Sequence, residues 1–387
     1  MSEPREEPVI LAGDSSAITL IDGLTFAISD ALGDIGATGA EGLIADDTRH
    51  LSRLAVTIDG DPMRTLGAAQ LTASTARFRG FAAPSPGRAD PSLEVERRRT
   101  VRADGLEDEL VLRWWAAEPR AVPVRLEVDA DFADIFAIRG LDTGSSAHAA
   151  SIDIAVTPEG VRFRDDDTGL QTTVRFDPPP DGLPDGVASW TPSVRRGEPW
   201  RLRTTVEAGT IVADAPRHAG ALGRGPRSGV AVRSGPVDLG RGCDRALGDL
   251  EALSMPDRLE PGRRLVAAGI PWFVALFGRD SLIAGHQARA FLPGQMMDTL
   301  AALAARQGQV SDPGNEEEPG KILHEVRLTP RAWLGEGTVS GARPYYGTID
   351  ATPLFLILYG TAWRWGAPRA ALEALLPAAR AALGWMR

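Results

Sequence analysis

The chain has one cysteine, Cys243, among 387 residues. That excludes an internal disulfide and any cysteine-rich metal site, and it fits a reducing compartment. Histidine is scarce as well. His50, His148, His218, His286 and His324 lack the close spacing of a zinc or iron site. A Gly-rich phosphate loop is missing too, because Gly223-Arg224-Gly225 follows no strand and opens no helix. Asp165-Asp166-Asp167 reads as a solvated turn rather than a calcium site. No cofactor and no metal are therefore expected. No apolar run has membrane-spanning length, and the opening Met1-Ser2-Glu3-Pro4-Arg5-Glu6-Glu7-Pro8 lacks the basic end and apolar stretch of a signal peptide, which predicts a cytoplasmic protein with no membrane partner. A basic stripe is also absent. The densest basic cluster, Arg97-Arg98-Arg99, has acidic neighbours, and the net charge of -10 argues against a nucleic-acid partner.

What is present is ordinary globular composition, 43% hydrophobic and 24% charged, in a chain long enough for two domains with sizeable cores. Up to about residue 213 the pattern is that of short strands. The segments 17–28, 54–58, 110–115, 122–128, 152–156 and 202–206 show alternation or β-branched enrichment, broken by turns such as Asp59-Gly60-Asp61 and Pro158-Glu159-Gly160. Frequent turns without intervening helices predict an antiparallel β-sandwich over residues 1–213. Residues 214–238, rich in Gly, Pro, Arg and Ser, read as a linker. Beyond it, 243–253, 280–291, 296–306, 352–365 and 370–385 have helical spacing and Ala/Leu richness. A long irregular stretch, 307–349, carries Trp333, His324, Tyr345 and Tyr346. Its length predicts a functional loop.

Four clusters bear on chemistry. In Gly269-Ile-Pro-Trp-Phe-Val-Ala-Leu-Phe-Gly-Arg-Asp-Ser, Trp272 and Phe277 offer aromatic faces, and Arg279 with Asp280 offers a fork and a carboxylate. Sugars are held by such pairings, an aromatic face against the C–H side of the ring and charged groups on the hydroxyls. Helix capping and core filling explain the same residues. In Glu316-Glu-Glu-Pro-Gly-Lys-Ile-Leu-His-Glu, the acidic run reads as a solvated face, whereas Lys321, His324 and Glu325 cannot all turn away from a wall. Tyr345-Tyr-Gly-Thr-Ile-Asp-Ala-Thr-Pro puts Asp350 at a helix mouth, where it is either an N-cap or a proton donor whose pKa must be raised. In the fourth cluster, Asp46, Asp47, Arg49 and Arg53 read as internal ion pairs between turn and strand.

Together, Asp46-Asp-Thr-Arg-His-Leu-Ser-Arg, Asp131-Phe-Ala-Asp-Ile-Phe, Phe277-Gly-Arg-Asp-Ser, Glu318-Pro-Gly-Lys-Ile-Leu-His-Glu and Tyr346-Gly-Thr-Ile-Asp-Ala-Thr-Pro resemble the bacterial amylo-alpha-1,6-glucosidase family, the glucosidases of glycogen-debranching type. The resemblance implies an α+β multidomain chain. Its N-terminal antiparallel β-sandwich is followed by a partial (α/α)6 toroid, a six-hairpin glycosidase domain over 239–387. The implied activity is inverting acid/base hydrolysis of alpha-1,6-glucosidic linkages in an alpha-glucan or small glucoside. Asp350 matches the catalytic acid. Asp280 matches a sugar binder, and Trp272, Phe277, Arg279, Lys321, His324, Glu325 and Tyr346 line the same site. No position matches the family's base, so a truncated toroid with negligible hydrolysis, poor solubility and a need for a complementary C-terminal fragment is expected. Two alternatives stay open. One is a hydrolase of a small sugar conjugate on the same fold; the other is a non-catalytic carbohydrate-binding protein using Trp114 or Trp115, of which at most one can face a ligand because adjacent strand residues point oppositely.

Overall fold

The computed structural model divides the chain into two compact units, Met1–Arg217 and His218–Arg387. It describes residues 17–36, 39–82, 92–140, 152–211, 237–327 and 344–387. Most of the expected linker, together with Trp333, His148, His218 and Gly223-Arg224-Gly225, lies outside these residues.

The first unit is built from antiparallel sheets. Eight strands run in the order Ile152–Thr157, Gly160–Asp165, Leu170–Asp177, Trp200–Thr210, Gly105–Trp114, Leu93–Arg102, Thr75–Phe81 and Arg64–Thr72. A four-stranded sheet (Ile18–Asp22, Thr25–Ser29, Gly42–Ala45, Thr48–Leu51) and a three-stranded one (Val187–Trp190, Val124–Asp129, Arg53–Ile58) complete a β-sandwich. One core joins them. Val95, Leu112, Phe163, Val174 and Val206 of the large sheet are buried in the same cluster as Leu20, Leu43, Leu51, Leu54 and Leu126 of the smaller ones. The segment expected as one strand from residue 17 to 28 is a hairpin instead, bent at Gly23, whose φ of 67° is reached without a Cβ penalty.

Two sequence features acquire structural reasons. Asp46 and Asp47 form the hairpin turn before Thr48–Leu51, both left-handed at φ 51° and 63°; acidic residues tolerate this better than most, and hairpin turns that match strand twist require it. Arg49 donates to the Asp131 carboxylate and to the Glu41 carbonyl, while Arg53 pairs with Glu127 at 2.5 Å. Asp134 caps a short helix, α1 (Ile135–Ile138), by accepting from the Phe136 and Ala137 amides at 2.8 and 2.9 Å.

The basic cluster Arg97-Arg98-Arg99 is not a surface feature. Alternation along Leu93–Arg102 turns Arg97 and Arg99 into the core and leaves Arg98 exposed. Asp108 on the neighbouring strand receives Arg97 Nε at 2.9 Å and Arg99 Nε at 2.9 Å, and Arg97 Nη1 reaches Asp34 at 2.6 Å. Burial pushes the Asp108 carboxyl upward, but the two guanidiniums outweigh it and hold the group below its ordinary value. For Asp34 burial wins over Arg97, and the carboxyl is raised.

In the second unit the helices are α2 (Val237–Ala252), α3 (Gly278–Ala288), α4 (Pro293–Ala304), α5 (Ala351–Arg364) and α6 (Arg369–Trp385). Each of α4, α5 and α6 buries one stripe at helical spacing, as Ala351, Phe355, Leu358 and Ala362 do on α5. Pro293 starts α4 and Pro353 lies in the first turn of α5, positions where a missing N–H costs no hydrogen bond. Asp257, fully buried, binds the Arg306 guanidinium and the Leu259 amide. Residues 307–324, within the stretch expected as irregular, are irregular but pinned. Gln307 Nε2 donates to Gly320 O at 2.8 Å and to Ala378 O of α6 at 3.0 Å, and Asp312 and Glu317 exchange backbone bonds at 2.9 and 3.0 Å. Among the described residues no helix is long and apolar enough to cross a membrane.

Candidate functional site

Three short strands, Leu276–Phe277, Glu325–Val326 and Pro344–Tyr345, pair antiparallel in that order. They gather the three motifs of the second unit, although these lie far apart in sequence. The first strand passes directly into α3, and the third leads through Gly347 and Thr348 into α5. The α3 junction requires glycine: Gly278 N donates to His324 O at 2.8 Å, and a Cβ on Gly278 would stand 2.1 Å from the Leu323 carbonyl oxygen. Thr352 Oγ1, buried in the first turn of α5, accepts from Ile322 N at 2.9 Å and ties the middle motif to the same corner. At Gly347 a Cβ would meet the Tyr345 hydroxyl at 2.2 Å, so the Tyr345 ring folds back over that turn, its hydroxyl donating to Glu316 Oε1 at 2.8 Å.

At this corner one guanidinium serves two carboxylates. Arg279 Nη1 donates to Asp350 Oδ2 at 3.2 Å, and Arg279 Nε lies 3.8 Å from Asp280 Oδ2. Thr348 Oγ1 donates to Asp350 Oδ1 at 2.5 Å. Arg279 is half-exposed, at 50% of its side chain, and both carboxylates keep 38%. The cluster faces solvent with its polar atoms only partly used. Asp350 occupies the N-cap position of α5, yet its side chain caps nothing. The carboxylate instead faces Thr348 and Arg279. Burial raises its pKa, but the hydrogen bonds from Thr348 and Arg279 together with the Arg279 charge exceed that effect and hold the group below the usual carboxylate range. Asp350 is therefore ionised at neutral pH in this arrangement. A neutral acid needs the opposite shift.

Around the cluster the expected site residues separate into two sets. Trp272 is half-buried and Phe273, beside it, is 42% exposed. Phe277 is buried, with Phe273 edge-on at 5.6 Å, His324 edge-on at 5.5 Å and the Arg327 guanidinium 5.1 Å from its ring centre, so it supports the aromatic loop rather than offering a free face. Lys321 is buried, and its ammonium is taken by Glu316 O at 2.9 Å and Glu318 Oε1 at 3.3 Å, over the Trp385 ring. Glu325 is buried against Arg327 Nε at 2.9 Å. Tyr346 is buried, donates to Arg306 O at 2.7 Å, and has its phenol pushed up to about 12 by burial and by Glu317. His324 lies half-buried between the rings of Phe277 and Tyr345.

Arg279, Asp280 and Asp350 thus share one exposed corner, with Phe273 and Trp272 on the chain that leads into it. Lys321, Glu325, Tyr346 and Phe277 form the wall behind. Sequence reasoning passed over Thr348, although it lies inside a quoted motif two residues from Asp350, and Arg327, whose guanidinium ties Glu325, Phe277 and the Trp272 carbonyl together. Arg327 stands only two residues beyond the middle motif. Among the described residues no group of His, Cys, Asp and Glu could hold a metal ion.

Residues 20–205 match the model of a family described as the N-terminal domain of (some) glycogen debranching enzymes. No match is found among curated proteins. Solved structures similar to the chain include a protein assigned as an aldose 1-epimerase from Escherichia coli K12, at 9% identity and TM-score 0.35, covering 51% of this chain and 100% of that one. They also include a GalM/aldose epimerase homologue from C. elegans, at 10% identity and TM-score 0.31, again over 51% of this chain and 100% of that one. A protein assigned as a kojibiose phosphorylase from the human microbiome aligns at 9% identity and TM-score 0.32, over 76% of this chain and 40% of its own. At these scores none of the three likenesses establishes a common fold or activity.

Proposed function

We propose, from the match of residues 20–205 to the model of the N-terminal domain of (some) glycogen debranching enzymes, that the second unit is a glycosidase domain of the (α/α)6 type, acting on alpha-1,6-glucosidic linkages by inverting acid/base hydrolysis. The observation that carries this reading is the solvent-facing Arg279, held between Asp280 and Asp350, at the corner where the three motifs of the second unit converge. A pyranose presents pairs of equatorial hydroxyls and an apolar C–H face. A guanidinium between two carboxylates matches the hydroxyls with charge-assisted hydrogen bonds, and Phe273 and Trp272 match the C–H face. Asp280 is assigned to sugar binding and Asp350 to proton donation. His324 and the buried Lys321, Glu325, Tyr346 and Phe277 set the wall against which the sugar lies.

Asp350 can serve as a donor only if binding reverses its pKa shift. Two changes on sugar binding act in that direction. Loss of water around the carboxylate strengthens the burial effect, already the largest influence on it, and hydroxyls that draw Arg279 toward the ligand weaken the charge that now holds the group ionised. The direct test is ligand binding rather than turnover. Hydrolysis additionally needs a water-activating carboxylate about 6.5–9.5 Å across the site, whereas Asp280 and Asp350 share one guanidinium. Calorimetry with isomaltose should give binding that Asp280→Asn and Asp350→Asn each weaken at least about tenfold, corresponding to loss of one charge-assisted hydrogen bond. Unchanged affinity in both variants would refute the assignment. Limit dextrin cleavage should release β-glucose first, read by NMR of the fresh product; α-glucose first would exclude inversion.

A further inference from the structure

The sandwich unit carries an aromatic and charged face remote in sequence from the cluster just described, and nothing in the proposed reaction uses it. Trp114 and Trp115 part at the end of strand Gly105–Trp114. Trp114 is buried and donates from its indole to Glu118 O at 2.7 Å, whereas Trp115 leaves 55% of its surface exposed. That exposed ring is held rather than loose. Its Nε1 donates to Glu94 Oε2 at 3.2 Å, and its backbone N donates to Ser92 O at 2.9 Å.

Glu94 is fixed in turn, with Arg79 Nη2 at 3.2 Å and Arg113 Nη1 at 3.6 Å from its Oε1; Arg113 Nη1 is also 3.6 Å from Glu96 Oε2. The register places Phe81, Glu94 and Arg113 directly opposite one another across three strands, so they share one face of the sheet. The half-buried Phe81 lies opposite Glu94 and the exposed Trp115 donates to the Glu94 carboxylate, so both aromatics flank that residue. The two carboxylates and two guanidiniums of this face cancel, which suits an uncharged ligand and disfavours a polyanion. Flat apolar faces separated by paired fork and carboxylate groups fit consecutive sugar rings along a chain, one ring over an aromatic and the hydroxyls of its neighbour over Glu94 and Arg113.

We infer that Phe81, Glu94, Arg113 and Trp115 form an auxiliary binding face for a neutral alpha-glucan chain, separate from the Arg279 cluster. The choice of ligand rests on the glycosidase reading above. A polymer with many chain ends is the substrate for which such a face matters, since a second contact raises the local concentration of ends at the first.

Affinity electrophoresis of the full chain in gels containing glycogen tests it, with maltoheptaose titrations as the soluble counterpart. Trp115→Ala should weaken binding about tenfold, the scale of one lost aromatic stack. Trp115→Phe should keep most of the affinity and Glu94→Gln should lose part of it. Full glycogen affinity in Trp115→Ala, or no glycogen binding by the unaltered chain, overturns the proposal. Isomaltose affinity, expected to survive Trp115→Ala and to fall in Asp280→Asn, reports on the Arg279 cluster alone. A failure there therefore leaves the result on this face standing.

Discussion

The two units of this chain each contain an arginine shared between two aspartates, and the two triads are put to opposite use. Asp34–Arg97–Asp108 lies in the sandwich core with the Arg97 side chain 3% exposed, whereas Asp280–Arg279–Asp350 sits at a helix corner with the Arg279 side chain 50% exposed. In the core the charges are tied to one another and to Arg99. A buried ion pair is costly to assemble, but once assembled it is costlier to break, because removal of one partner leaves an uncompensated charge in low dielectric. At the corner, water already solvates the charges. Mutual attraction there contributes little to stability, and the groups stay available to a ligand. Burial, not residue type, separates the structural triad from the one proposed to bind sugar.

The sharpest way to break this comparison is Asp108→Asn, which removes the carboxylate shared by Arg97 and Arg99. It should cost about 3–5 kcal/mol, read from urea unfolding of the sandwich signal, and a loss below 1 kcal/mol would mean that the core triad is no more stabilising than a surface pair. The same variant carries a pH signature. Asp108 is held below its ordinary value, so its contribution is present above the unfolded carboxylate value, about 3.9, and is lost as pH falls through the lower folded value. Asp34, raised, works in the opposite sense. Acid unfolding curves should therefore lose slope below pH 4 in Asp108→Asn relative to the unaltered chain.

Gly278→Ala comes next. A methyl placed 2.1 Å from Leu323 O forces the α3 junction away from the middle motif, at about 1–3 kcal/mol, and should weaken isomaltose binding even though no sugar contact is altered. By contrast, Asp280→Asn and Asp350→Asn should stay within about 0.5 kcal/mol of the unaltered stability while losing sugar affinity. If either unfolds the chain as Asp108→Asn does, the contrast between the triads fails. The subtlest test is Arg279→Gln. With the guanidinium gone, burial is the main remaining influence and the Asp350 carboxyl should titrate at higher pH, measurable by carbon-detected NMR of the side-chain carboxyl. An unmoved or lower value would show that Thr348 alone sets its ionisation.

Much of this was legible from spacing. Alternation along 122–128 and 202–206 announced strands, and the Ala/Leu periodicity of 352–365 and 370–385 announced helices within a residue of α5 and α6. The inward turn of Arg97 and Arg99 was not legible. Period-two reasoning sends charged residues outward, and only the placement of Asp108 on the adjoining strand makes the reverse tolerable. Asp350 at a helix mouth was foreseen, but its carboxylate faces Arg279 instead of the backbone amides that an N-cap would serve. Lys321, Glu325 and Tyr346, expected to line a sugar site, are buried, with their polar atoms engaged by backbone carbonyls and by Glu318 and Arg327.

The sequence by itself determined the kinds of element and their punctuation, because periodicity, capping and glycine act over a few residues. Only the tertiary structure decided which charges are spent on the fold and which remain open to a ligand. Arg279 and Asp350 are 71 residues apart and Arg97 and Asp34 are 63 apart, and neither separation says whether water reaches the pair. Desolvation sets that difference, and it exists only once the sheets and helices have closed around each group.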